Sequence, residues 1–321
     1  NISWSRALKN NLAQQKKFIF SSSRVMQGMY RPFLKQWTYF DRSFNEMVYQ
    51  MFKVFPNKDA ENVVIHTSGV GAKNFSAMAS ACLPCYDNIE KGQCFPLYIY
   101  DEDGSNKRDA ITDEALQLFQ SSYPTLKVSK EDIFYYIYGL LHSDDYRSKY
   151  SDNLSKELPR IPRVKDANDF TAFCEAGRKL ADLHINYENV DCYKADIDSK
   201  ATEDQHYYVE KMKHPKKKVD GKSVNDLSSI IYNHRITINN IPDDAYRYTV
   251  NGKSAIAWVM ERQCVKTDKE SGIINDANLW ATETMNNAKY PLELVLRVIT
   301  VSLETMKIVD SLPKLDFNTL S

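Results

Sequence analysis

The most regular hydrophobic pattern in the chain runs over residues 129–187. Ile133, Tyr136, Ile137, Leu140 and Leu141 recur at i, i+3, i+4, i+7 and i+8, which is one face of an α-helix. Ser129 stands in front as an N-cap, with Asp132 where a capping box usually carries Glu or Gln. A second helix is expected after Ser143, turning Tyr146, Tyr150, Leu154 and Leu158 inward. Pro159 and Pro162 end it, because proline has no N–H to donate and clashes with the preceding turn. A third helix from about Asp169 places Phe170, Phe173, Cys174, Gly177, Leu180, Ala181 and His184 on one face. Each large apolar side chain is worth roughly 1.5–3 kcal/mol when fully buried. Three such stripes predict a helical platform with a shared core.

Outside the platform the pattern shortens and alternates. Strands are expected at WTYF (37–40), Val63–His66, FPLYIY (95–100), HYYVEKMK (206–213), SSIIYNHRIT (229–238) and 246–250. Short helices are expected after Ile111, with Thr112 or Asp113 as cap, and around Ile256–Met260. A closing helix spans Leu292–Val309. Residues 101–109, 188–205 and 268–278 are polar and turn-rich. The predicted class is α+β, with mixed strand-containing parts around a central three-helix platform. The corresponding parts are 1–128, 129–187 and 188–321.

The composition, 43% hydrophobic and 26% charged over 321 residues, belongs to a soluble globular protein. Ten Gly against twenty Tyr and fourteen Phe argue against a glycine-rich dinucleotide fold. The 42 basic and 42 acidic residues cancel, so charge alone points to a protein-contacting domain over a freestanding nucleic-acid binder. No apolar run approaches the roughly 20 residues of a membrane helix, and no signal peptide is visible. The first residue is Asn1, as expected of a fragment of a longer polypeptide. Six cysteines suggest reduced thiols in a cytosolic protein.

The motifs that carry chemistry fail one by one. Thr67-Ser-Gly-Val-Gly-Ala-Lys73 follows a candidate strand, but Lys73 precedes Asn74, where a P-loop needs Ser or Thr. A tight turn presenting Lys73 and Asn74 is the better reading. Cys82 and Cys85 form one close pair without a second, so free thiols are expected and no metal site. Asp182 and Asp198-Ser-Lys200 have nuclease residue types without a hairpin core around them. No Pro-Pro pair, G-x-S-x-G or H-E-x-x-H occurs, and no catalytic residue is assigned. Binding candidates remain. Lys216, Lys217, Lys218 and Lys222, around the turn signal Asp220-Gly221, suit a phosphate clamp or a solvated face. Arg31, Lys35 and Arg42 suit phosphates or surface ion pairs. Loop 101–109 offers Asn106 for adenine and Lys107 or Arg108 for guanine, together with Lys73 and Asn74. Its acids Asp101, Glu102, Asp103 and Asp109 oppose phosphates, and a bare hairpin tip is the alternative.

The wording of the chain resembles a known family. YIYGLLHSDDYRSKY, LPRIP and FCEAGRKLADLHINYE resemble the C-terminal target-recognition region of bacterial type ISP single-polypeptide restriction–modification enzymes. ISWSRALKNNL, MYRPFLKQWTYFDRSFNE, TSGVGAKNFSAM, GQCFPLYIY, NGKSAIAWVMERQCVKTDKESGIINDANLW and VITVSLETMKIV extend the resemblance over nearly the whole chain, in order. Cys82 and Cys85 depart from the family pattern. The resemblance implies recognition of double-stranded DNA, with methyltransferase, translocase and nuclease domains elsewhere on the same polypeptide. It implies S-adenosylmethionine, ATP and Mg for that parent enzyme, none for this chain, and a bacterial cytoplasmic setting in phage defence. A coupling domain that links the methyltransferase to the rest of the enzyme without touching bases is the alternative.

Overall fold

The computed structural model describes residues 4–199 and 204–316. They divide into two units. The first comprises 20–186, 250–252 and 305–316; the second comprises 4–19, 187–199, 204–249 and 253–304. The mixed α+β class is as the sequence predicts.

The first unit is built on two helices, Lys130–Leu140 and Ala167–Ile185. Ser129 caps the former, and Asp132 completes a true capping box: Ser129 N–H donates to its carboxylate at 2.9 Å and Asp132 N–H donates to Ser129 Oγ at 3.1 Å. Arg178 of the longer helix donates to Asp132 at 2.8 Å and to Glu131 at 2.7 Å. Burial pushes the Asp132 carboxyl up, but the bonds from Ser129 and Arg178 outweigh it and hold the group below its ordinary value. The helices meet at glycines. A Cβ on Gly139 would sit 2.3 Å from Phe173 O, and one on Gly177 would sit 1.9 Å from Tyr135 O. Every residue expected on the inner face of the third helix is buried.

The proline-rich segment after the second helix cannot make a regular ladder, so tyrosine hydroxyls satisfy it. Tyr146 donates to Arg160 O at 2.7 Å, Tyr136 to Pro162 O at 2.6 Å and Tyr123 to Val164 O at 2.5 Å. The acceptors are every second carbonyl, as an extended chain presents them on one side. The second helix itself is two short ones, Asp144–Lys149 and Ser151–Leu154, broken at Tyr150. Leu158 lies beyond both and is exposed, contrary to its expected inward position.

Against this platform stands an antiparallel sheet with Val64–Thr67 between Ala77–Ser80 and Gln93–Pro96. Ala77 and Ala79 join the platform core, and Tyr138 Oη accepts the Ala79 N–H at 2.8 Å. The hairpin Val25–Arg31/Leu34–Tyr39, with Leu83–Pro84 parallel to its first strand, belongs to a second cluster around Phe40, Phe52 and Val64. Asn251 enters this unit from far along the chain. Its N–H donates to Ser76 Oγ at 2.8 Å, its Nδ2 donates to Asn88 O at 3.1 Å, and its Oδ1 accepts from Glu90 N–H at 3.2 Å.

The second unit contains the sheet Ile230–Ile231, Ile236–Asn239 and Asp196–Ser199, the helix Ala255–Arg262 capped by Ser254, and residues 290–304 of the helix Tyr290–Asp310. Several expectations are corrected here. The 188–205 stretch holds a strand, because Asp196–Ser199 pairs with Ile236–Asn239 despite its polar sequence. Residues 206–213 do not form a strand; they pair with the sheet only at Lys213, opposite Ile231. The single strand expected over 229–238 is a hairpin turning at 232–235. Residues 268–278 include Ile274–Asp276, which pairs with Val265–Thr267. The helix Arg6–Ala13, capped by Ser5, is an element that the hydrophobic pattern does not predict. Lys200, of the nuclease-like triplet, lies outside the described residues.

The platform generates two predictions. Gly177→Ala is expected to lower stability by about 1–3 kcal/mol, the usual cost of overpacking, because backbone must move to admit the methyl group. Denaturant unfolding measures this, and an unchanged midpoint would mean the helices are not in close contact. The second concerns buried histidines. Burial lowers His66 from 6.5 to about 4 and His184 to about 3, with Arg147 adding to the effect at His184. The unfolded chain binds these protons near pH 6.5 and the folded chain only at lower pH. Their stabilising effect is therefore complete above pH 6.5. It is lost as pH falls towards 4, at up to about 1.4 kcal/mol per pH unit for each histidine. Melting temperatures that stay flat over that window would contradict it.

Candidate nucleic-acid interface

The loop 101–109 ties up its own polar groups. Asn106, at φ +52°, donates to Asp101 Oδ2 at 2.7 Å, and Arg108 donates to Asp101 Oδ1 at 2.9 Å. Those two bonds hold the Asp101 carboxyl below its ordinary value. Lys107 Nζ lies 4.0 Å from the centre of the Tyr98 ring. Asp103 accepts from both Ser105 N–H and its hydroxyl, and Glu102 pairs with Arg42 at 2.8 Å. Two of the acids that opposed phosphate contact, Asp101 and Glu102, are therefore partners of basic groups, Arg108 and Arg42. Exposed pairs of this kind are screened by solvent, so a ligand can displace them at small cost.

Lys73 and Asn74 are exposed in the 68–76 loop. Lys73 N–H donates to Glu90 Oε2 at 3.0 Å, and Asn74 O accepts the Ser68 hydroxyl at 2.9 Å. The strand register sets Thr67 against Gln93 and Val64 against Pro96. The 68–76 loop thus leaves one end of that sheet, and the chain leading to 101–109 leaves the other. The structure does not bring these two groups together.

Lys216, Lys217, Lys218 and Lys222 form strands, not a loop. Lys216–Val219 pairs with Lys222–Asn225, closed by Asp220 at φ +50° and Gly221 at φ +77°, both positive as a type I′ turn requires. Both strands are exposed along their whole length. Alternation puts Lys216 and Lys218 on one face and Lys217 and Lys222 on the other, beside Val219 and Val224. Lys217 is held at 3.0 Å by Asp226. Lysine-rich strands of this kind resist edge-to-edge pairing with another chain.

A concavity of about 720 Å³ lies in the second unit, where sequence reasoning assigned nothing. Its floor is fixed by two asparagines. Asn233 Oδ1 accepts from Arg235 and Ile236 N–H, both at 2.8 Å, while its Nδ2 donates to His206 O at 2.8 Å and Tyr208 O at 3.0 Å. Asn278 Oδ1 accepts from Val209 N–H, and its Nδ2 donates to Val209 O, both at 2.9 Å, and to Asp276 at 2.8 Å. These side chains do for residues 206–209 what a neighbouring strand would have done. Around the floor stand Lys211, Lys213 and Arg235, all exposed, with Glu210 the one acid in the lining. Lys211 and Lys213 lie just N-terminal to the 216–222 basic run, but Arg235 lies beyond it, and nothing in the sequence signals that the two stretches face each other.

The family described as "Type ISP C-terminal specificity domain" matches residues 1–294. No curated protein sequence matches the chain. Among solved structures, a nuclease-deletion mutant of the Type ISP restriction-modification enzyme LlaGI, in complex with a DNA substrate mimic, is 41% identical with a TM-score of 0.81. The ATP-dependent Type ISP enzyme LlaBIII bound to DNA is 38% identical with a TM-score of 0.85, and a DrdV–DNA complex is 33% identical with a TM-score of 0.84. Each match covers 98% of this chain but 23%, 20% and 31% of the respective relative. The chain therefore spans a fifth to a third of the length of these relatives. Among the described residues no helix is long and apolar enough to cross a membrane, and no group of three or more metal-ligating side chains occurs.

Proposed function

The chain belongs to the Type ISP C-terminal specificity domain family, and from that premise we propose that it recognises a specific sequence in double-stranded DNA for a restriction–modification polypeptide. Methyltransferase, translocase and nuclease parts outside the chain methylate adenine and cleave, using S-adenosylmethionine, ATP and Mg. The observation that carries the reading is the near-complete match of this chain to one part of enzymes solved with DNA. A neutral net charge is compatible with it, since the other domains can supply much of the phosphate binding. The alternative, a coupling domain that touches no bases, draws on that same neutrality and on the internal pairing of Asn106 and Arg108. Exchanging the chain between two relatives with different target sites separates them: a hybrid that keeps its old site supports coupling and ends the recognition reading.

Asn106 and Arg108 are proposed to exchange Asp101, and Lys107 the Tyr98 ring, for base edges, and Lys73 and Asn74 to act on the DNA separately. Arg108→Ala in the intact enzyme is expected to relax preference at one base position by about 1–3 kcal/mol, read as methylation of the cognate site and its single-base variants. Uniform loss would make Arg108 a phosphate ligand, and no change would make the loop a bystander.

Lys216, Lys217, Lys218 and Lys222 are proposed to bind phosphates, which positions a protein without reading sequence. Replacing all four with Gln is expected to weaken specific and non-specific binding alike, and to lower the salt slope by roughly 0.9 for each phosphate no longer neutralised. The split between two faces of the hairpin sets a finer expectation: if one face meets DNA, Lys216/Lys218 and Lys217/Lys222 double variants differ.

A further inference from the structure

We infer that the concavity bounded by Lys211, Lys213 and Arg235 is a seat for the DNA sugar–phosphate backbone, separate from the hairpin lysines and without a role in reading bases; this rests on the DNA-recognition reading above. The distinction comes from the state of its polar groups. Asn233 and Asn278 have the chemistry of adenine readers, since an amide can pair bidentately with a base edge. Here both are occupied. Asn233 uses its oxygen twice and both N–H groups, and Asn278 uses its oxygen and both N–H groups, on backbone and on Asp276. Thr282 Oγ1 donates to Asn278 O at 2.9 Å. The two asparagines therefore present no free amide edge with which to tell one base from another.

What the rim offers is positive charge. Lys211 and Lys213 have no ion-pair partner among the described residues. Arg235 uses only Nε, donating to His234 Nε2 at 3.0 Å, which leaves both terminal nitrogens for a bidentate grip on phosphate oxygens. Three cations face one acid, Glu210, in a chain whose total charge is zero. The charge is thus concentrated locally. A concave, part-enclosed setting strengthens its attraction for an anionic strand over that of the same charges on an open surface. The seat is also held in advance. Asn233 fixes the turn that carries Arg235, and the 2.8 Å and 3.1 Å bonds between Lys213 and Ile231 fix the backbone that carries Lys213. The backbone under the rim is ordered in advance, which leaves the exposed side chains as what binding must order.

The test uses the intact polypeptide that carries the chain, with Lys211→Gln, Lys213→Gln and Arg235→Gln combined. All three residues are exposed, so the fold is retained, and an unchanged melting temperature checks this. Binding is titrated over a range of salt concentrations against a cognate duplex and a mixed-sequence duplex. The inference expects the slope of log Kobs against log salt to fall by roughly 2.7, about 0.9 for each phosphate, on both duplexes, with their affinity ratio unchanged. Asn233→Ala, which frees the turn while keeping every charge, is expected to weaken binding to both duplexes without that change of slope. If the parent protein binds DNA and the triple variant keeps its slope, the inference fails while the recognition reading stands. If the variant loses its preference between duplexes at constant slope, the residues read bases and the backbone assignment is wrong. If the unmodified polypeptide prefers no duplex sequence, the recognition reading fails, and the inference built on it fails too.

Discussion

The close approach of two helices at Gly139 and Gly177 is the constraint on which the first unit depends. Each glycine costs its helix about 0.5–1 kcal/mol relative to alanine, and the structure accepts this twice where the helices cross. In return, the helix backbones lie near enough for Cys174 Sγ to reach Asp132 O at 3.3 Å and for Arg178 to bind the capping carboxylate of the opposite helix. The same crossing fixes the height of Tyr136 and Tyr138. One hydroxyl reaches the proline-rich segment; the other sits between the Ala79 N–H and His184 Nδ1. A wider crossing would withdraw both hydroxyls, leaving the buried Ala79 N–H and His184 Nδ1 without this partner.

How much of this was legible in the sequence depended on how local the cause was. The platform helices were readable because their apolar period, capping residues and terminating prolines lie within the segments themselves. Asp132 shows the limit of a rule drawn from frequency: the shorter carboxylate closes the capping box as Glu would. The errors fell where a distant partner decides. Asp196–Ser199 carries no alternating pattern and is a strand because Ile236–Asn239 lies beside it. HYYVEKMK has the composition of a strand, yet Asn233 and Asn278 take up its backbone groups. The Lys216–Asn225 hairpin has no buried face, so hydrophobic periodicity gave no sign of it, and only Asp220-Gly221 did.

The candidate interface divides in the same way. Residue types suited to DNA were visible in the 101–109 loop, but their present partners were not, because the competing acids were counted as repulsion and not as hydrogen-bond acceptors. Lys211, Lys213 and Arg235 escaped notice because they are dispersed in sequence, and nothing in spacing announces that a turn and an irregular segment will face each other. Conversely, Asn233 and Asn278 would have been attractive as base readers had they been singled out. Their hydrogen bonds assign them to scaffolding.

Asn251 and the chain end bear on how the protein is made. The unit that begins at residue 20 takes its loop plug from Asn251, the hydroxyl partner of His184 from Thr305, and part of its core from Val309 and Leu315. Domains usually fold from the N-terminus as synthesis proceeds, at about 5–20 residues per second. Here the segment ending at 186 must wait about 130 further residues for its last pieces, roughly 7–26 s at that rate. During that interval residues 187–249 and 253–304, most of the second unit, emerge between them. Residues 20–186 are therefore completed only after residues 250–252 and 305–316 have followed them, and until then the loops that Asn251 joins and the face awaiting Val309 and Leu315 stay open to the chaperones that meet nascent chains.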